Sequence, residues 1–170
     1  MKEIEAKFLN INRKELEKKL RKLGAKKIFD SLIEIKQFDY PNKALRKNKS
    51  FIRLRKINGK KELTFKRILF AKGAKTAREL NIEVSSFSET IEILKVLGLK
   101  EFLVGKKRRI RYKIKGTQFE FDKYLGKHKY IPEFLEIEGT PAAIKKYQVL
   151  LGVKNPKPYS FYDLVKIYKK

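Results

Sequence analysis

The chain has 170 residues with 44 Lys and Arg against 19 Asp and Glu, and its formal charge of +25 at pH 7 points to anionic partners. It contains no cysteine, which excludes disulfide staples, thiolate zinc sites and a cysteine nucleophile, so a metal is expected on oxygen ligands. A hydrophobic fraction of 42% suits one folded domain over residues 1–170, and no apolar run reaches the roughly 18 residues that cross a membrane. The charged start Met1-Lys2-Glu3-Ile4-Glu5 has no apolar segment behind it, which predicts a cytoplasmic protein.

Lys2 to Asn10 alternates in polarity and reads as a strand. Leu16, Leu20 and Leu23 then recur at helical spacing before Gly24, predicting a helix over Asn12 to Leu23. Lys26 to Tyr40 reads as a long strand closed by Pro41-Asn42. Ser50 to Ile57 and Lys61 to Leu69 flank Asn58-Gly59, the strongest short-range hairpin signal. A loop is expected at Ala71 to Lys75, a strand at Thr76 to Val84, and a helix at Ser86 to Leu97 with Ser86 at its start. Lys100 to Lys115 and Thr117 to Tyr124 pair around Gly116, and Phe134 to Glu138 is a last strand. Pro141 opens a helix to about Leu151, and Tyr159 to Tyr168 is another. Some eight strands joined by hairpins, with a few helices, predict an α+β fold on an antiparallel sheet.

Side chains of a strand alternate between two faces, and here one face carries charge every time. Glu3, Glu5 and Lys7 oppose Ile4, Ala6 and Phe8; Arg53 and Arg55 oppose Ile52 and Leu54; Glu62, Thr64 and Lys66 oppose Leu63 and Phe65. Glu79, Asn81 and Glu83 oppose Leu80, Ile82 and Val84, while Glu120 with Asp122 and Glu136 with Glu138 oppose Phe119, Phe121, Leu135 and Ile137. Lys107, Arg109 and Arg111 form a further charged row. An ordinary sheet with its polar face in water shows the same alternation. However, these rows are almost purely charged, and like signs are grouped on one strand. Closing the sheet into a barrel with apolar residues outside, under the helices, would bring acids and bases together around one bore. So many ionised groups demand a ligand, water or metal there. The competing origin of the charge is a lysine-rich surface of the thermophilic kind.

The motifs on these rows resemble the CYTH domain, the triphosphate tunnel metalloenzyme superfamily that groups class IV adenylate cyclases, thiamine triphosphatases and tripolyphosphatases. Glu3-Ile4-Glu5-Ala6-Lys7 matches E-x-E-x-K, Arg53-Leu54-Arg55 matches R-x-R, and Leu63-Thr64-Phe65-Lys66 resembles L-T-x-K. Arg78-Glu79 sits at a basic-acidic pair, Lys107 to Tyr112 fits K-x-R-x-x-Y, and Phe121-Asp122 and Glu136-Ile137-Glu138 resemble the closing strands. Tyr159 to Leu164 is similar to the C-terminal helix. Gln37 stands where many members have a tyrosine, so no catalytic tyrosine is carried over.

The resemblance implies a closed eight-stranded antiparallel barrel with a charged interior and helices on its outer face. It also implies Mg2+ or Mn2+ as cofactor. Glu3, Glu5, Asp122, Glu136 and Glu138 are then the metal candidates. Lys7, Arg53, Arg55, Lys66, Glu79, Lys107 and Arg109 are the substrate-binding candidates, and Lys66, Arg55 and Glu5 the catalytic ones. The implied activity is hydrolysis of a linear triphosphate, inorganic or organic; a class IV adenylate cyclase and a non-catalytic RNA- or polyphosphate-binding module are the alternatives. Expected partners are a triphosphate-containing small molecule, nucleic acid through the basic surface, and a second copy in a homodimer, with no membrane. His128, between Lys127 and Lys129, reads as a solvated loop residue. The Lys106 to Arg111 cluster reads as bore-lining in preference to a nucleic-acid patch.

Overall fold

A computed structural model describes residues 2–71 and 74–169, with the side chains of residues 4–69 and 77–169. The strands are β1 (Lys2–Phe8), β2 (Lys26–Asp39), β3 (Ser50–Ile57), β4 (Lys60–Ala71), β5 (Ala74–Glu83), β6 (Lys100–Ile114), β7 (Thr117–Leu125) and β8 (Phe134–Glu138). The helices are α1 (Arg13–Lys22), α2 (Ala44–Lys47), α3 (Phe87–Val96), α4 (Pro141–Leu151) and α5 (Phe161–Tyr168). All strand pairings are antiparallel, in the order β1-β5-β4-β3-β2-β6-β7-β8, and β8 pairs back onto β1. The ring therefore closes through one short strand. Lys2–Glu5 lie against Arg78–Lys75 of β5, and Glu5–Phe8 lie against Glu138–Leu135 of β8.

Local signals set these boundaries. Asn58 and Gly59 have φ of 47° and 83°, the two positive values a two-residue hairpin needs where β3 turns into β4. The Asn12 and Ser86 side chains accept the N–H of Glu15 and Glu89, capping α1 and α3. Thr140 caps α4 ahead of Pro141, and Ser160 with Asp163 forms a reciprocal capping box on α5. The stretch expected as a loop at Ala71 to Lys75 is mostly strand, because Ala71 ends β4 and pairs with Ala74 of β5; residues 72 and 73 lie outside the described residues. The short helix α2 has no counterpart in the sequence reading.

Apolar rows face outward under the helices. Leu16 and Leu20 of α1 and Ile144, Tyr147 and Leu151 of α4 pack on Phe8, Ile110, Phe119, Phe121, Leu135 and Ile137. Ile91 and Leu94 of α3 cover Phe38 and Leu54. Coverage stops at β5, contrary to the expectation of a fully sheathed outer face: Leu80 and Ile82 are 55% and 60% exposed. Alternation places them on the outer face, and among the described residues no helix covers them. Among the described residues, no helix is long and apolar enough to cross a membrane.

α5 docks across one end of the barrel. Phe161 stacks on Tyr124 at 4.2 Å between ring centroids, beside Phe134, Leu103 and Ile131. His128 belongs to this packing and is not solvated: it is buried in a 3-10 turn, its Nε2 lies 2.8 Å from the Val104 carbonyl, and its Nδ1 lies 3.1 Å from the Tyr130 hydroxyl. Burial lowers its pKa, so the ring packs neutral, donating to the carbonyl and accepting from the tyrosine. Two flanking lysines gave no hint of this, since the wedge between β6 and α5 exists only once the chain is folded. Gly105 completes the fit, because a Cβ there would lie 2.7 Å from Cζ of Phe161. With that ring pinned by Tyr124, Gly105→Ala is expected to cost about 1–3 kcal/mol as overpacking. A thermal melt and faster amide exchange confined first to α5 check it.

Candidate active site in the barrel bore

The charged rows turn inward. Glu5 and Lys7 of β1, Arg53 and Arg55 of β3, Lys66 of β4, Glu79 of β5, Lys107, Arg109 and Arg111 of β6, Glu120 and Asp122 of β7, and Glu136 and Glu138 of β8 line one cavity of about 400 Å³. That volume suits a small-molecule ligand. Glu3 shares their row, but its side chain lies outside the described residues. Every other site residue nominated from the sequence lines this space. Gln37 lines it as well, at the place left without a tyrosine.

Eight strands bring these charges within bonding distance. Lys7 donates to Glu136 at 2.6 Å and to the Tyr159 carbonyl at 2.8 Å. Burial opposes its charge, yet Glu136 and Glu5 outweigh burial and hold Lys7 above the ordinary lysine value. Arg109 grips Asp122 with Nε at 2.7 Å and Nη2 at 2.6 Å, reaches Glu136 at 3.1 Å and also pairs with Glu120. Asp122 takes a second cation, Lys107, at 2.5 Å. The carboxyl groups of Asp122 and Glu136 stay below the usual range because these cations outweigh the cost of burial. Lys107 goes the other way, since burial and then Arg109 bring it down to about 8 despite Asp122.

The other wall is less balanced. Lys66 pairs with Glu79 at 2.5 Å, while Arg53 stands 3.6 Å from the same carboxylate. Although burial would raise Glu79, Arg53 and Lys66 lower it to about 2. Burial and the neighbouring charge of Arg55 bring Arg53 down to about 10, and its Nε is buried with no hydrogen-bond partner among the described residues. An orphaned donor on a destabilised cation marks a place for an anion. The full cavity lining carries nine cationic side chains against seven carboxylates, so the bore favours anions on balance.

The bore has two unlike ends. Phe134, Tyr124, Phe102, Phe51 and Tyr162 line the α5 end, joined by Arg46 of α2. Glu138 lies four residues of extended strand, about 13 Å, beyond Phe134. Glu5 faces Glu138 across the β1–β8 pair, and Glu120 faces Glu136 across β7–β8. Acids placed directly opposite one another repel unless a cation shares them.

Carboxylate oxygens on this wall suit a hard divalent cation such as Mg2+. Yet, among the described residues, no three acidic side chains gather into a coordination group. Glu3, one of the five carboxylates expected at a metal, lies outside the described side chains, and two of the other four are held by cations. Arg109 and Lys107 hold Asp122, and Lys7 and Arg109 hold Glu136. Sequence reasoning also left five charged cavity residues unnominated: Arg46, Lys49, Arg111, Glu120 and Asp163. Arg111 and Glu120 sit on rows already read as charged and were within reach of the alternation rule; Arg46 comes from a four-residue helix with no periodic signal.

A ring of eight antiparallel strands around a charged bore is the architecture of triphosphate tunnel proteins, and the CYTH domain model matches residues 1–149. The chain belongs to the CYTH domain family. Among solved structures it is similar to the PH1012 protein of Pyrococcus horikoshii OT3, with 31% identity and a TM-score of 0.81 over 95% of this chain and 98% of that one. It is likewise similar to a conserved hypothetical protein of Pyrococcus furiosus, with 25% identity and a TM-score of 0.80 over 95% and 99% of the two chains. HpAC1 of Hippeastrum, a candidate adenylyl cyclase with a dominant triphosphatase activity, shares the fold at 16% identity and a TM-score of 0.69 over 97% and 95%. No curated protein sequence matches the chain.

Proposed function

We propose that this protein is a divalent-metal-dependent hydrolase of a linear triphosphate bound inside the bore. The observation that carries this reading is the convergence of Lys7, Arg53, Arg55, Lys66, Lys107 and Arg109 on one cavity that also holds Glu5, Glu79, Asp122, Glu136 and Glu138. Membership of the CYTH family agrees with it. A triphosphate carries about four negative charges, and its transfer asks a protein chiefly for positioning and charge stabilisation.

Arginine forks grip two phosphate oxygens each, and lysines act as point charges. Arg53 has a donor to spare, and Arg55 stands beside it on β3. Lys66 would exchange part of its hold on Glu79 for phosphate. Asp122 keeps Lys107 and Arg109 aimed, which makes it a positioning residue. Glu5 and Glu138, opposed in register, would hold the metal, with Glu136 and, by family resemblance, Glu3 completing the oxygen set. The ion, when bound, supplies Lewis-acid charge on phosphate oxygens and a more acidic water.

The deciding experiment measures phosphate release from tripolyphosphate, thiamine triphosphate and ATP, with Mg2+ or Mn2+ and with chelator, and identifies the ATP product by mass. Metal-dependent release supports the proposal, and its absence on all three sinks it. Cyclic AMP with pyrophosphate would assign a cyclase. Salt-sensitive binding that survives both chelator and Glu5→Gln would assign a binding module. The profile of kcat/KM against pH is expected to fall as pH rises through about 8, where free Lys107 loses its proton and one fixed cation disappears. Lys107→Arg, always charged, should move that descending limb to higher pH.

A further inference from the structure

Arg46 reaches the cavity from α2, outside the strand rows that carry the residues assigned above. Its Nε donates to Asp39 at 2.7 Å, and the fully buried Asp39 carboxylate also accepts the backbone N–H groups of Tyr40, Leu45 and Arg46. The guanidinium carbon lies 4.1 Å from the Phe102 ring centroid and 5.4 Å from that of Tyr162. A carboxylate at the stem and two aromatic rings thus fix the group before any ligand arrives. Asp39 takes only the Nε edge: among the described residues Nη1 and Nη2 make no hydrogen bond. A planar cation aimed in this way and open along its Nη edge is suited to take an oxyanion in two-point fashion.

The place of this edge matters as much as its chemistry. It stands at the α5 end, whereas Glu138 ends β8 on the other side and Glu5 faces it from the middle of β1. Resting on the triphosphate reading above, we infer that Arg46 is a further substrate-contacting and specificity-determining residue, its Nη edge taking the phosphate that lies farthest from those carboxylates. An anion long enough to occupy both ends uses Arg46, and a shorter one held near the carboxylates does not. Arg46 therefore makes the bore selective for phosphate-chain length.

Calorimetric titration of the full chain with tripolyphosphate and with pyrophosphate, in Mg2+, tests this. Arg46→Gln should raise the Kd for tripolyphosphate about tenfold to hundredfold, the worth of a charge-assisted contact, and leave that for pyrophosphate unchanged. Arg46→Lys, which keeps the charge and loses the fork, should fall between wild type and Arg46→Gln, and it decides the matter if the Gln variant melts early. Arg108→Gln removes the same charge from the exposed outer face, where Arg108 pairs with Asp30, and should bind as wild type does. Wild-type affinity for tripolyphosphate in both Arg46 variants, or equal weakening for the two anions, overturns the inference. A wild-type protein that binds neither anion removes the triphosphate reading itself, and the inference with it.

Discussion

Arg53→Met is expected to lower turnover of the triphosphate about 100- to 1,000-fold, the usual loss when one donor to a developing oxyanion is removed, while leaving the melting temperature unchanged or higher. The two effects have one cause. Arg53 is partly buried 3.6 Å from Glu79, its buried Nε has no hydrogen-bond partner among the described residues, and desolvation together with Arg55 pushes its pKa down to about 10. Folding thus places a cation where the folded chain does not welcome it. Methionine fills the same space without a charge to desolvate, and Glu79 keeps Lys66 at 2.5 Å. Steady-state kinetics paired with thermal melts check both halves. Turnover equal to wild type would remove Arg53 from the site, and a large loss of stability would show that the cation supports the fold.

Arg109→Met should behave in the opposite way, with a loss of about 3–5 kcal/mol, the usual cost of stripping one partner from a buried ion pair. Arg109 is the shared counter-ion of Glu120, Asp122 and Glu136, all buried. Without it three acids face one another across β7 and β8, served among the described residues by Lys7, Lys107 and Arg111. In a chain of this size the melting temperature would fall by about 6–20 °C. Because Asp122 and Glu136 are held below the normal carboxylate range, the stability they contribute is present above their unfolded pKa and fades as pH falls below it. The Arg109→Met protein, with those acids no longer held so low, should therefore lose less on acidification than wild type. Melts at several pH values measure both expectations.

The bore was legible in the sequence because period two is a rule about faces. Glu136 and Glu138 had to share a side, as did Arg53 and Arg55, and grouped charge meant they could not all be left to water. Strand β8 spans the residues alternation assigned to it, Phe134–Glu138. Alternation says nothing about what lies over a face, so the uncovered pair Leu80 and Ile82 was not foreseen. Nor does it identify counter-ions. The attachment of Asp122, a metal candidate by resemblance, to Lys107 and Arg109 depends on the pairing of β6 with β7, which alternation does not reveal. Arg46 and His128 were beyond reach for a related reason: each is placed by contacts with distant segments, Phe102 and Tyr162 for the first, Val104 and Phe161 for the second.

β1 is hydrogen-bonded to β5 along its first half and to β8 along its second, so it works as a keystone. The same few residues supply Glu5 and Lys7. Fraying of that strand would at once leave two raw sheet edges, inviting association with other chains, and empty the vessel of an acid and a base. Loss of catalysis and onset of clumping should consequently set in together on gentle heating, well before the helices melt.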